Sequence, residues 1–358
     1  MPPSPTERPQ AESSERAVKR SRICSLLEPG DEAVWLTSPA AVSWYLCGAR
    51  VHTSLQGPPI AAVLVGPETE LVVTFTNEAE RLAAEELDDD VELTAVPWDS
   101  PLDSVLAGRG RIRGEDEYAD QLRAARAALL PAEQQRFRRL GEDSARALTA
   151  VLSGFRPQMS ERQLAAEVAA AIVAAGADPL VVMVSGTARA QYRHPLPTEQ
   201  PVGERAMVVV CARRHGLIAN LTRWVRAGEP DARQADAQRR IMQVEAAFFD
   251  ATVEGRRLAE VLDDGAAAYA RHGFSRDEWR NHHQGGAAGY AGRDPRASSG
   301  VEDLVQQNQA FAWNPSAPGV KVEDTMLLRG GQLEPLTVDP DWPTVEVAGR
   351  RRPGTLVV

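Results

Sequence analysis

The stretch that decides the fold is Val208–Arg223, "VVVCARRHGLIANLTR". An apolar run, a polar tip closing on Gly216 and a second apolar run read as a buried strand, a turn and a returning strand within 206–225. A further strand is expected over 180–185. Ahead of it, Ser160 and Gln163 have capping-box spacing, Leu164, Val168 and Ile172 fall on one helical face, and Gly176 is placed to end the helix. Upstream, a helical period begins near Pro131, where proline's missing donor is not needed, and Phe137, Leu140, Ala147 and Val151 form its apolar stripe.

The same order of elements recurs downstream. Ile241, Val244, Phe248 and Ala251 stripe a third helix, Leu258–Ala270 follow Gly255 as a fourth, and strand-like runs return after residue 281. Helix pair, strands, helix pair, strands predicts a pseudo-twofold domain over 126–358. Residues 21–125 read as a smaller α/β domain, because "AVWLTS", "VSWYLCG", "AAVLVG", "LVVTF" and "VELTAVPW" alternate with turn signals around a helical Glu78–Glu86. Residues 1–20, rich in Pro, Ser, Glu and Arg, hold too little apolar surface to offset an ordering cost of about 1–2 kcal/mol per residue, so a disordered tail is expected.

Bulk properties narrow the function. A chain of 358 residues with 43% hydrophobic content and no apolar run approaching the ~20 residues of a membrane span has no membrane partner and is long enough for two cores. A net charge of −10 with scattered arginines offers no footprint for nucleic acid. Cys24, Cys47 and Cys211 have no paired metal spacing, and the N-terminus lacks the features of a secretory leader, so a reducing cytoplasm is the expected location. Only two lysines occur, Lys19 and Lys321.

Six stretches in order, "SPAAVSWYLCG", "SGTARAQYRHPLPTEQPVGERAMVVV", "GLIANLTRWV", "HHQGGAAGY", "FAWNPSAPGVKVEDTMLL" and "EPLT", carry a resemblance to the creatinase, aminopeptidase P and prolidase superfamily over roughly residues 30–345. The resemblance implies an α+β chain whose C-terminal domain has the pita-bread fold, with helix pairs on a curved antiparallel sheet, behind a smaller ribonuclease H-like α/β domain. It also implies a homodimer in which Arg50 or the "VHTSLQGPP" loop could reach the partner's pocket.

In the metallopeptidases of that superfamily two aspartates, a histidine and two glutamates hold a pair of metal ions. The matching positions here are Val209, Asn220, Gly286, Asn314 and Glu323. Two dications at close range need carboxylates to offset their charge, and a single carboxylate with two neutral amides does not supply them. The expectation is therefore no metal and no cofactor. His194 and His282 match non-metal histidines of the family, and in creatinase, a metal-free relative, a histidine at the position of His194 shuttles protons.

The catalytic candidates are thus His194, Glu323 and His282, since imidazoles titrate near neutrality and suit acid–base work. Asn220, Asn314, Lys321, His283, Val209 and Cys211 are candidates for contacting a small-molecule substrate. Lys321 and Glu323, two apart on a strand, should share a face and could pair. His282 and His283, adjacent on an extended segment, should face opposite ways, which argues against both reaching one ion. Cys211 shares Val209's face and reads as a core residue or a nucleophile if a histidine lowers its pKa. Asp324 and Arg223 read as structural. "GGAAGY" lacks the strand-to-helix context of a phosphate loop.

Three functions remain: a metal-independent enzyme cleaving a C–N bond in a small molecule, a lyase or isomerase acting in the same pocket in specialised metabolism, and a non-catalytic module that binds peptide or protein.

Overall fold

The computed structural model describes residues 13–229 and 231–358. The chain divides into two compact units with the boundary between Glu133 and Gln134. No helix among the described residues is long and apolar enough to cross a membrane.

The first unit contains α1 (Ser13–Cys24), β1 (Asp31–Leu36), α2 (Pro39–Tyr45), β2 (Ala61–Val65), β3 (Glu70–Phe75), α3 (Thr76–Glu85), β4 (Leu93–Val96), β5 (Arg111–Gly114) and α4 (Ala119–Ala127). Its strands form one mixed sheet in the order β4-β3-β2-β1-β5. Antiparallel pairs lie at the centre and parallel pairs at both edges. The expected tail of residues 1–20 is corrected in part: residues 13–20 belong to α1, and residues 1–12 lie outside the described residues. The helix escapes an apolar-pattern reading because charges occupy its inner face. Lys19 is fully buried, paired with Glu15 at 2.5 Å and Glu133 at 3.0 Å. Arg16 bonds Glu70, Asp88 and Asp90. Buried charge is tolerated when it is paired and hydrogen-bonded in this way.

The second unit opens within α5 (Pro131–Leu152) and continues through α6 (Glu161–Ala174), β6 (Asp178–Ser185), β7 (Arg205–Arg214) and β8 (Leu217–Arg226). In α5 the buried stripe runs Phe137, Leu140, Ser144, Leu148 and Leu152, so the inner face takes the larger leucines in place of the expected Ala147 and Val151. Ser160 Oγ accepts from the Gln163 backbone N–H and the Gln163 side chain accepts from the Ser160 N–H, closing the capping box on α6. Such a cap is worth about 1 kcal/mol. His215 and Gly216 between β7 and β8 both have positive φ, 51° and 74°. Two such residues are what a type I′ hairpin turn requires, and they fix the register that sets Cys211 opposite Asn220 and Val209 opposite Thr222.

The second half repeats the pattern with α7 (Ala232–Ala251), α8 (Leu258–Arg271), β9 (Gly285–Ala288), β10 (Ala310–Trp313), β11 (Ser316–Ala317), β12 (Val320–Lys321), β13 (Met326–Arg329), β14 (Gln332–Pro335), β15 (Thr344–Val347), β16 (Arg350–Pro353) and β17 (Thr355–Val357). Ile241, Val244, Phe248 and Ala251 are buried as their spacing predicts, and Phe248 stacks on Trp313 with centroids 4.7 Å apart. Four-stranded sheets, β17-β8-β7-β6 and β14-β13-β10-β9, represent the two halves. They meet along β8, where the Ile218 N–H donates to Gly289 O, the Thr222 N–H to Glu323 O and the Asn220 N–H to Thr325 Oγ1. The candidate site lies on this seam.

Candidate active site

The strand face that carries the site follows from register. In an antiparallel pair opposite residues share a face, and i, i+2 residues lie on one side. Val209 and Cys211 of β7 and Asn220 and Thr222 of β8 therefore share one face, with Val209 packed among Met183, Met207 and Trp224. Glu323 comes to this face from the segment after β12. Its Oε2 accepts from Thr222 Oγ at 3.1 Å and from Lys321 Nζ at 2.9 Å, and its Oε1 accepts from Arg293. Lys321 and Glu323 are 3% and 2% exposed, respectively. The two cations outweigh desolvation and hold the Glu323 carboxyl at about 2, well below the usual carboxylate range.

Glu323 and Asp324 point into different networks. Arg223 and Arg352 both bond Asp324, and Arg352 also makes a two-pronged pair with Glu245, each contact at 2.7–2.9 Å. That buried cluster joins β8 to α7 and β16 with two cations against two anions. Arg223 and Asp324 thus brace the sheet.

A hydrogen-bonded chain of side chains stands beside Glu323. His282 follows a 3-10 turn over Glu278–Asn281, and His194 sits in the loop before β7. Arg193 pairs with Glu278, which ties the two carriers together. His194 Nε2 and His282 Nε2 lie 3.1 Å apart, and His282 Nδ1 is 3.0 Å from Ser316 Oγ. When Ser316 donates to His282 Nδ1, the His282 Nε2–H donates to His194 Nε2, a run that needs both rings neutral. Burial does most to keep them so, with Lys321 adding to it. His282 is pushed down to about 2 and His194 is lowered. Tyr269 holds the far end, its hydroxyl accepting the Ser316 N–H at 2.9 Å.

The expectation that His282 and His283 face apart is corrected. Their ring centroids are 4.5 Å apart, and ligating atoms of His194, His282 and His283 all lie within 4.8 Å of one another. Side-chain alternation belongs to regular strands, and β9 begins only at Gly285. His283 is lowered to about 3, chiefly by burial and then by Arg293 and Arg296.

At Cys211 the core reading is favoured over the nucleophile. Burial, with Glu323 adding to it, pushes its thiol up to about 12, so no thiolate forms near neutrality. Glu323 is likewise no free base, since three donors already occupy its two oxygens. Sequence reasoning missed Arg293 and Ser316. Ser316 stood inside the quoted "NPSAP" with nothing to mark it, and Arg293 comes from an irregular loop whose partner is thirty residues on.

The five positions matched to metal ligands can be tested directly against a pair of dications. Val209 offers no donor, and Lys321 and Arg293 already ion-pair with Glu323. At Gly286, φ is +142°, and a Cβ would lie 2.5 Å from Pro295 O and 2.7 Å from Ala297 N, so backbone fills the space a histidine would need. This donor set, with two fixed cations in its midst, does not fit two metal ions.

The sequence profile of metallopeptidase family M24 matches residues 135–330. The chain belongs to that family. It is homologous to hydrolases that cleave C–N bonds and has the mixed α+β pita-bread fold of the creatinase and aminopeptidase P superfamily. Similar solved structures include the X-Pro aminopeptidase from Thermotoga maritima MSB8, at 17% identity and TM-score 0.72 over 91% of this chain and 97% of that one. The prolidase from Pyrococcus horikoshii OT3 matches at 17% and 0.72 over 89% and 98%. The Xaa-Pro dipeptidase from Bacillus anthracis matches at 13% and 0.73 over 96% and 100%. No curated protein sequence matched the chain.

Proposed function

We propose that this family M24 chain hydrolyses a C–N bond of amide or amidine type in a small molecule, without the paired metal ions of its relatives. The observation that carries the reading is the hydrogen-bonded chain Ser316–His282–His194 beside a carboxylate locked between Lys321 and Arg293. With the run reversed, so that the His194 Nε2–H donates to His282 Nε2 and the His282 Nδ1–H to Ser316 Oγ, the Nδ1 of His194, the exposed end, is free to take a proton from the attacking water and return it to the leaving nitrogen. His282 orients that imidazole, and Ser316 orients His282. Lys321 and Arg293, with Glu323 between them, leave one positive charge over where relatives place metal charge, and that charge draws an anionic substrate to the site.

The test is hydrolysis of a panel of N-acyl amino acids and amidino acids by protein dialysed against chelator, with metal content measured on the same sample. Turnover that survives chelation and disappears in His194→Ala is expected. Two equivalents of transition metal per chain, with activity lost on their removal, would refute the reading.

A further inference from the structure

The two buried ion clusters of the second unit differ in balance. Arg223, Arg352, Asp324 and Glu245 sum to zero, whereas Lys321, Arg293 and Glu323 leave one positive charge over. The side chains of Lys321 and Arg293 are only 4% and 10% exposed. An uncompensated charge in such a place is costly unless something completes it. Arg293 also has a donor to spare. Its other two nitrogens serve Glu323 and Gly292 O, but among the described residues its buried Nε has no partner. Two buried acceptors of the same unit are open as well, Oδ1 of Asn220 and Oδ1 of Asn314. The Asn220 amide is oriented by its Nδ2 donating to Ile218 O at 3.1 Å, which leaves Oδ1 for a donor from elsewhere. Asn220 shares the strand face of Thr222, which bonds Glu323, and Asn314 lies two residues before Ser316.

The geometry points to a monoanionic substrate, a small carboxylate that also carries N–H groups, seated against Arg293 and Lys321 with its N–H donors on Asn220 and Asn314. One surplus positive charge matches a carboxylate and not a phosphate dianion. The open guanidinium edge supplies an N–H to a carboxylate oxygen, and the orphaned amide oxygens call for the donors of an amide or urea. A local positive field inside a chain of net charge −10 concentrates anions there. The assignment rests on the hydrolase reading for its substrate but not for its binding chemistry. It also disfavours creatine-like cations, whose positive end would meet Glu323 already doubly paired.

The experiment compares binding of N-acetylglycine with that of its neutral amide, N-acetylglycinamide, by calorimetry at fixed ionic strength, with acetate and inorganic phosphate alongside. The acid is expected to bind at least about tenfold more tightly than the amide, a preference worth about 1.4 kcal/mol, and acetate is expected to compete where equimolar phosphate does not. Arg293→Gln should bring the ratio to near one, while Arg293→Lys retains part of it, and circular dichroism of both variants checks that they are folded. Equal binding of acid and amide, no binding of either to the wild type, or an undiminished ratio in folded Arg293→Gln overturns the proposal. Selective binding of the acid with no hydrolysis of any N-acyl or amidino acid would leave this inference standing and sink the hydrolase reading. Hydrolysis of acid and amide at equal kcat/KM would do the reverse.

Discussion

Replacing Glu323 by glutamine leaves Lys321 and Arg293 facing each other in a buried place without their anion. The size of the penalty can be worked in two ways. A carboxyl held at about 2 where its ordinary value is 4.5 is stabilised in its charged form by about 3 kcal/mol, at about 1.36 kcal/mol per pH unit. Removal of one partner from a buried pair typically costs about 3–5 kcal/mol. Glu323→Gln should therefore destabilise the folded chain by about 3 kcal/mol at pH 7. Because the folded value is depressed, this stability is complete above about pH 4.5 and is lost as pH falls towards 2, so the penalty should shrink to about 1–2 kcal/mol at pH 3. Urea denaturation at the two pH values gives the totals, and hydrogen exchange of the β7 and β8 amides places the loss in the right unit. The double variant Lys321→Met/Glu323→Gln removes one of the stranded cations and should regain at least about 1 kcal/mol. A single variant within about 1 kcal/mol of wild type, or a double variant no better than the single, would refute the electrostatic account.

Four other outcomes are expected. The acid limb of kcat/KM should lie below pH 6.5, since burial and Lys321 lower His194 and a base must be neutral to act; Lys321→Met should move that limb upward in a pH–rate profile. Cys211→Ser should keep wild-type kcat, because the thiol it replaces is held protonated, and a loss beyond about tenfold would restore a covalent role. Gly286→Ala should cost about 1–3 kcal/mol in chemical denaturation, given the main-chain atoms its Cβ would strike. Asp324→Asn should lower stability by about 3 kcal/mol while leaving the acid-over-amide binding ratio intact, as calorimetry of the folded variant would show.

The pseudo-twofold order of elements was legible because helix stripes such as Ile241, Val244 and Phe248, and the capping box at Ser160, are local signals that tertiary packing reinforces. The β7–β8 hairpin was legible for the same reason. Helix α1 was not, because its inner face is built from Arg16 and Lys19, which look solvated until Glu70, Asp88, Asp90 and Glu133 arrive from elsewhere in the chain. At the site, Lys321 beside Glu323 could be read from a spacing of two. Arg293 could not, because an irregular loop has no period from which to infer where a side chain points. The closeness of His282 and His283 was hidden by applying the rule of a strand to residues that precede one.

Gly286 sets a steric limit on what this site can be turned into. Val209, Asn220 and Asn314 could each be exchanged for a carboxylate by altering one side chain. A histidine at 286 would first require the main chain at Pro295–Ala297 to move away. Engineering a donor set for two dications here is therefore a problem of loop remodelling, beyond the reach of successive point replacements.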